Sequence, residues 1–353
     1  MCSRIYKRKW IAVIFIMLLV TSGCSENSED NVDLVQTPLS EHYLDMIAQG
    51  FGGGLSFGVS PVENDWNWEV DGPWIGQLAL NAPDDSLQIH VANIDANDRD
   101  FLLKVFLNYE SVPFRVLGEE AYDKSFTVSV KGGYGVYVPF VLESEIAQEN
   151  RYKLTAVLFI NPQERALDQG ELLGRFAVGE NADLFLGQGV DSIKLDVPFF
   201  EPLARRENDS FTSIAINEDF DVAYFKTRIG SGYELDQIRS TPGEIIDLSL
   251  FVNPCTGTFD DGSRVGYEIE NYIILGLLEH QQIELSDKPF LFVDMSNHSY
   301  QTPVDHLAFT LQVPDEPGYY EFVAILVVNP TKRNSNYNFF SLELSRRLTI
   351  IVE

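Results

Sequence analysis

The chain has 353 residues and carries 53 acidic side chains against 25 lysines and arginines, which gives a formal net charge of −28 at pH 7. A surface this acidic repels polyanions, so nucleic acid and bare anionic lipid are excluded as favourable partners. The length is sufficient for about two domains, each with a hydrophobic core of its own.

The N-terminus has the pattern of an export signal. Four basic residues stand ahead of an apolar run at residues 10–20, and small residues follow it at 21–24. The apolar run is too short to cross a bilayer, which is typical of a cleaved secretory signal. We therefore predict a signal peptide over residues 1–23 and an exported mature chain.

The residues TSGC, 21–24, resemble the lipobox of bacterial lipoproteins, although Thr21 stands where that family usually has leucine. The resemblance implies that Cys24 is lipidated on sulfur and anchors the mature chain to the extracytoplasmic face of the cell membrane. Because Ser25 is not an aspartate, family rules place such a protein in the outer membrane of an organism that has one. An ordinary signal peptide that happens to precede a cysteine is the alternative.

Residues 24–40 are polar and acidic and have no apolar periodicity, which predicts a flexible tether. A short helix is expected after the tether, because Ser40 can cap a helix that ends at Gly50.

From residue 86 onward, hydrophobic residues recur with a period of two, and turn residues separate the strand-like runs. Residues 152–165 align with residues 320–333, and the same order of runs surrounds both stretches. We infer a tandem duplication. The identical pairs are Tyr152/Tyr320, Ala156/Ala324, Leu158/Leu326, Asn161/Asn329, Pro162/Pro330 and Arg165/Arg333.

Each copy has about seven short strands and few helical segments, which indicates an antiparallel β-sandwich. We predict an all-β protein with a first sandwich at residues 41–181, a linker at 182–207 and a second sandwich at 208–353. Alternate side chains of the aligned strand, among them Leu158 and Leu326, are expected to face the core.

The stretch PDEPGYYEFVAILVVNP, residues 314–330, resembles the penultimate strand of immunoglobulin-like and fibronectin type III-like domains. In those families a turn with glycine leads into a corner tyrosine and an alternating apolar strand. The resemblance implies that Tyr320 is the corner tyrosine. The first copy has Asn150 and Arg151 in place of the PG turn, and neither copy has the cysteine pair or the core tryptophan of antibody domains.

Residues 54–58, GLSFG, match the pattern that holds a nucleophilic serine on a tight turn in serine hydrolases. The glycines before Ser56 and Pro61 after it do not suit the strand and the helix that such a turn joins. We interpret the stretch as a glycine-rich lead-in to the first sandwich, and we predict that the protein is not an enzyme.

The loop DANDRD, residues 95–100, clusters the oxygen donors that calcium requires, at Asp95, Asn97, Asp98 and Asp100. It resembles the cadherin linker D-x-N-D-N, except that arginine replaces the final asparagine. Calcium is the one cofactor that the sequence suggests, and a solvated acidic turn is the alternative. The histidines of the second copy lack a metal-ligand spacing, so no other metal is expected; they are His280, His298 and His306.

Trp66, Trp68 and Trp74 lie within nine residues of one another. Such a cluster can stack on sugar rings or bind a peptide. Their alternation with polar residues also suits one buried face of a strand. Both interpretations stay open, and the three residues are candidates for ligand contact.

These features predict a non-catalytic, lipid-anchored module that binds or scaffolds a protein or a glycan in the cell envelope. The first alternative is an accessory subunit that docks to another envelope protein through a sheet edge or an apolar patch, and the second is a hydrolase. In a sandwich the loops after the second and sixth strands lie at one end. We therefore expect DANDRD beside NPQERALDQ, residues 161–169, with Gln163, Glu164 and Arg165 as contact residues.

Overall fold

Two successive sets of short strands make up the computed structural model. We call the set from Gln36 to Leu186 repeat 1 and the set from Arg206 onward repeat 2. The structure describes residues 34–51, 54–62, 77–80, 85–143, 151–164, 177–186, 206–208, 215–218, 237–252, 271–294, 304–328, 330, 342–345 and 347–353.

Repeat 1 folds into two sheets. One sheet has the order β1-β9-β4-β2, with β7 also pairing with β9, and the other has the order β3-β11-β10-β5-β6, with β8 also pairing with β5. Its strands are β1 Gln36–Pro38, β2 Gly54–Pro61, β3 Gln77–Leu80, β4 Leu87–Ile94, β5 Arg99–Leu107, β6 Glu110–Ser111, β7 Phe114–Val116, β8 Phe126–Val130, β9 Tyr134–Leu142, β10 Arg151–Ile160 and β11 Ala177–Leu186.

Repeat 2 has the same topology. Its sheets have the orders β12-β19-β15-β13 and β14-β22-β20-β16-β17, with β18 also pairing with β16 and β21 with β20. Its strands are β12 Arg206–Asn208, β13 Ala215–Glu218, β14 Gln237–Ser240, β15 Ile245–Val252, β16 Asn271–Leu278, β17 Gln281–Ile283, β18 Leu291–Asp294, β19 Val304–Gln312, β20 Gly318–Val328, β21 Leu342–Leu344 and β22 Leu348–Val352.

This strand order is that of an immunoglobulin-like sandwich. In repeat 1, β2, β4 and β9 occupy the places of strands A, B and E, and β5, β10 and β11 those of C, F and G. In each repeat a further short strand, β3 or β14, runs parallel to the last strand. The predicted all-β fold with two tandem antiparallel sandwiches is confirmed. The strand β11 continues to Leu186, so the first sandwich extends at least five residues beyond the predicted residue 181.

The core of each sandwich is built by alternate residues, as the period of two predicts. In repeat 2, Phe322, Ala324 and Leu326 of β20 face a cluster that also contains Leu248 of β15 and Phe309 of β19, from the other sheet. In repeat 1 the equivalent residues of β10 are buried in the same alternation; they are Leu154, Ala156 and Leu158.

The two repeats pack against each other through the outer faces of their C, F and G sheets. A second apolar cluster joins them, to which β5 and β10 contribute on one side and β16 and β20 on the other. Strands with two buried faces are apolar at nearly every position, as LTAVLFI and VAILVV are. We call this cluster the inter-repeat contact; its members are Phe106, Tyr109, Val157, Phe159, Ile273, Leu275, Leu277, Phe290, Ile325 and Val327.

A tight turn from each repeat reaches across this contact. Asn108 and Tyr109 follow β5 with positive φ, as Glu279 and His280 follow β16, which is the conformation of a type I′ hairpin turn. The Tyr109 hydroxyl donates a hydrogen bond to the carbonyl of Pro330 at 3.1 Å, beyond the end of β20. The start of β10, the F strand of repeat 1, therefore lies beside the end of β20, the F strand of repeat 2. The two sandwiches point in opposite directions.

The tyrosine corner predicted at Tyr320 is present. The hydroxyl of Tyr320 donates a 2.9 Å hydrogen bond to the backbone carbonyl of Glu316 in the turn before β20. Gly318 lies under the ring, because a Cβ added there would be 3.3 Å from the Cε2 atom of Tyr320.

Replacement of Tyr320 by phenylalanine is expected to lower the free energy of unfolding by about 1 kcal/mol, because one hydrogen bond is lost while the ring remains. Urea denaturation of the two proteins measures the difference. The exposed neighbour Tyr319 supplies the control, since Tyr319→Phe should leave stability unchanged. Equal losses in both variants would contradict the corner.

The N-terminal segment, residues 34–51, is part of repeat 1. Gln36–Pro38 pair with β9, so residues from Gln36 onward, which were predicted to belong to the tether, are part of the sandwich. The helix expected after Ser40 is confirmed as α1, Glu41–Met46, and it continues as a π-helical turn, Ile47–Phe51. No helix in the described part of the chain has the length and apolar character needed to cross a membrane.

This segment covers the outer face of the first sheet. Leu39 packs on Ala92 and Ile94 of β4. A Cβ added to Gly135 would lie 3.4 Å from the side chain of Leu39 and 3.2 Å from the Nε2 atom of His90. Leu39 and His90 therefore lie side by side, and the imidazole of His90 is buried.

Candidate functional site

The candidate site is the end of repeat 1 at which the loop after β4 meets the loop after β10. The backbone N–H of Asn161 donates to the carbonyl of Asp100 at 2.7 Å, and the N–H of Asp100 donates to the Asn161 side chain at 3.2 Å. The expected proximity of DANDRD and the NPQER loop is thus confirmed. We call these two loops together the loop end of repeat 1.

Asp95 stabilises the DANDRD loop through contacts with other residues of the same loop. Its carboxylate accepts a 2.9 Å hydrogen bond from the backbone N–H of Asn97, which makes a tight Asx turn, and it forms an ion pair with Arg99. The arginine that departs from the cadherin pattern is therefore the internal partner of the first aspartate.

The other two aspartates of the loop bind β8 and the turn between β8 and β9. Asp98 accepts a 3.0 Å hydrogen bond from the backbone N–H of Gly132, and Asp100 accepts one from the Ser129 hydroxyl. Gly132 is required there, because an added Cβ would lie 2.5 Å from the carbonyl oxygen of Ala96. Hydrogen bonds to Asn161, to β8 and to the β8–β9 turn therefore hold the DANDRD loop in place.

The carboxylates of Asp95, Asp98 and Asp100 bind separate donors of the protein. Among the described residues, no group of three acidic, histidine or cysteine side chains is arranged to hold a metal ion. Calcium binding stays a prediction, and a bound ion would need these carboxylates to exchange partners.

The NPQER loop is fixed by a residue of repeat 2. Asn161 has a positive φ of 46°, and its side chain donates a 2.9 Å hydrogen bond to the carboxylate of Glu164. The guanidinium of Arg347 donates to the backbone carbonyl of Glu164 and forms a buried ion pair with Glu321 at 3.0 Å. Gln163 and Glu164 are exposed at the surface.

Sequence reasoning missed Arg347, which reaches the loop end from the position just before β22. In the sequence, residues 171–178 align with 343–350 and so pair Arg175 with Arg347, which marks Arg347 as part of the repeat and does not reveal the contact. Arg347 is buried between Glu164 of repeat 1 and Glu321 of repeat 2. This role depends on how the repeats pack and is visible only in the structure.

Several predicted site residues lie outside the described part of the chain. These are Cys24, the tryptophans Trp66, Trp68 and Trp74, and Arg165. The ligand-contact and lipidation predictions for them stay predictions.

Ser56 does not lie on a strand-to-helix turn. It is in the middle of β2, opposite Ala92 of β4 in an antiparallel ladder. A nucleophile of the serine-hydrolase type stands where the chain turns sharply out of the sheet. The interpretation of GLSFG as part of the sandwich agrees with this placement.

Two buried side chains of repeat 1 have strongly shifted pKa values. Burial lowers the pKa of His90 to about 3 and that of Lys104 to about 8. Both residues stand within sheets, on β4 and β5, and neither belongs to the loop end. Their shifts bear on stability and on the contact between the repeats.

No protein-family model matches the sequence, and no curated protein matches it. Among solved structures, the chain is similar to a red sea bream transglutaminase at 9% identity and a TM-score of 0.21, over 85% of this chain and 31% of that one. The C-terminal domain of the Streptococcus agalactiae AgI/II polypeptide BspA is 9% identical with a TM-score of 0.24, over 84% and 100%. Fibronectin(III)-like modules of Clostridium thermocellum CbhA are 9% identical with a TM-score of 0.19, over 84% and 94%.

The chain spans less than a third of the transglutaminase that it matches. Similarities at these TM-scores carry no argument about activity or partners. The assignment of the immunoglobulin-like fold rests on the strand order of the two repeats.

Proposed function

We propose that the protein is a non-catalytic module of the bacterial cell envelope that binds or scaffolds a partner through the loop end of repeat 1. Lipidated Cys24 holds it on the extracytoplasmic face, on the outer membrane where the organism has one. The partner is an envelope protein or a glycan. The observation that carries this proposal is the attachment of the loop end to both repeats.

A binding surface needs loops that keep their shape on a rigid support. Asp98 ties the DANDRD loop to the β8–β9 turn and Asp100 ties it to β8. Arg347 ties the NPQER loop to repeat 2. Meanwhile the inter-repeat contact occupies the outer C, F and G faces of both sandwiches. The loop end combines exposed polar side chains with a fixed backbone, which supports its role in recognition.

The anchor is tested by replacing Cys24 with alanine. We expect the variant to lose incorporation of labelled palmitate and to move from the membrane fraction to the soluble fraction, because the acyl chains supply the membrane affinity. Cys255→Ala is the matched control and should stay in the membrane fraction with its label. Membrane retention of Cys24→Ala would contradict lipid anchoring.

The binding surface is tested separately, by placing a photo-crosslinking residue at exposed Gln163 of the full chain in cells. Recovery of one specific adduct is the expected result, and its chemistry distinguishes a protein partner from a glycan. The same residue at exposed Tyr122, on another loop of repeat 1, is the control and should give no such adduct. Equal adducts from both positions, or none from Gln163, would contradict the loop end as the contact surface.

A further inference from the structure

Lys104 lies in the contact between the two repeats. Its neighbours two residues away on β5, Leu102 and Phe106, both pack in the inter-repeat contact. Because side chains of a strand alternate between faces, Lys104 is on the same face as these two. It lies opposite Val157 of β10, another member of the contact, and it is completely buried.

The equivalent position in repeat 2 shows that the fold does not need a lysine here. Lys104 pairs with Val157 as Leu275 pairs with Ile325 in the second copy. A leucine therefore fills the same place in the same type of sheet. The Nζ atom of Lys104 also has no hydrogen-bond partner among the described residues. Burial of this amine lowers the stability of the contact, and the packing of the two repeats does not require it.

The charges around Lys104 are few. Burial is the largest cause of the lowered pKa of this amine, and on the loop after β7 Asp123 raises the pKa while Lys124 lowers it further. The described members of β10, β16 and β20 in the contact are apolar. Further along the same faces stand Lys153 and Glu321, at the starts of their F strands, and His280 of repeat 2 packs on Phe159.

We propose that Lys104 makes the contact between the two repeats respond to pH, so that the contact loosens when the amine is protonated and tightens when it is neutral. A protonated amine is poorly solvated inside the apolar contact, and separation of the repeats returns it to water. A neutral amine lacks most of this penalty.

The direction follows from the two pKa values. The closed form binds the proton with a pKa of about 8, against 10.5 for a solvated lysine. Protonation therefore favours the open form, and the penalty is complete below pH 8. It disappears as the pH rises from 8 towards 10.5, so the contact is expected to tighten over this range.

Two backbone amides of one hairpin provide the measurement. The N–H of Ser111 donates to the side chain of Gln282 across the contact at 2.6 Å, whereas the N–H of Val112 donates to Val105 within repeat 1 at 3.1 Å. In hydrogen exchange of the full chain, protection of Ser111 reports the contact and protection of Val112 reports the sandwich. Protection factors, corrected for the intrinsic exchange rate, are compared between pH 7 and pH 9.

We expect the protection of Ser111 to rise about tenfold from pH 7 to pH 9, with a smaller change at Val112. In Lys104→Met the rise should be absent and the protection at pH 7 higher. Lys104→Leu, which copies the residue of repeat 2, is a second variant should the methionine be poorly accommodated. Lys131→Met removes an exposed lysine of repeat 1 that does not act on Lys104 and should retain the rise.

Constant protection of Ser111 in the unaltered protein would overturn the proposal. A rise that persists in both Lys104 variants would do the same, because another group would then be responsible. Equal rises at Ser111 and Val112 would assign the effect to unfolding of repeat 1 as a whole.

Discussion

Replacement of Phe159 by alanine is expected to lower the free energy of unfolding by about 3 to 5 kcal/mol, the range for a large aromatic side chain lost from a close-packed interior. Phe159 is completely buried in the inter-repeat contact. The centroid of its ring lies 4.7 Å from the centroid of the imidazole of His280 of repeat 2. The truncation leaves a cavity between the two sandwiches, and equilibrium denaturation in urea measures its cost.

The control for this variant is Tyr122→Ala, which removes an aromatic ring of similar size from the surface of repeat 1. Its expected effect is less than about 1 kcal/mol. If Phe159→Ala cost no more than Tyr122→Ala, the two repeats would be independent modules in solution. A large loss shared by probes in both repeats indicates that the chain folds as one unit.

Acidification should destabilise the protein through His90. Burial lowers the pKa of this imidazole to about 3 in the folded chain, while an unfolded chain binds the proton at about 6.5. The neutral ring therefore favours the folded state above pH 6.5, and this contribution is lost as the pH falls towards 3. Between pH 7 and pH 4 the expected loss is about 3 kcal/mol.

Other groups also titrate in this range, so the effect is measured as a difference. Stability is determined at pH 7 and pH 4 for the unaltered protein and for His90→Phe, which cannot bind the proton. The loss should be smaller in His90→Phe by about 3 kcal/mol. His42→Phe changes an exposed histidine of the same N-terminal region and should keep the full loss. Identical pH dependence in all three proteins would contradict the role of His90.

The sequence predicted the sandwich fold because the relevant signals are local. Alternating apolar residues in β10 and β20 identified the inward faces, and the corner at Tyr320 followed from a turn beside an apolar strand. The inter-repeat contact was not predicted, although Val157 and Phe159 are apolar at the outward positions. Such residues show that a face is buried and do not show what covers it.

The sequence predicted the contacts of the loop end within repeat 1 and missed its contact with repeat 2. Sandwich topology places the loops after β4 and β10 together, and Asp100 and Asn161 are in contact. The partner Arg347 lies 183 residues from Glu164, and its reach depends on how the repeats are oriented. Likewise, Lys104 stands out as a lysine in place of Leu275 when the strand registers of both copies are known.

The opposite orientation of the two sandwiches limits how the duplicated loops can work together. Tyr109 lies beside Pro330, and Arg347 lies beside Glu164, so each repeat's F–G loop adjoins the far end of the other repeat. Asn161, beyond β10, and Pro330, beyond β20, therefore lie at opposite ends of the inter-repeat contact, and one flat surface cannot engage both ends. Duplication here does not supply avidity for a single target. With the loop end of repeat 1 proposed as the contact surface, the end of β20 is placed to meet a second neighbour and not the first.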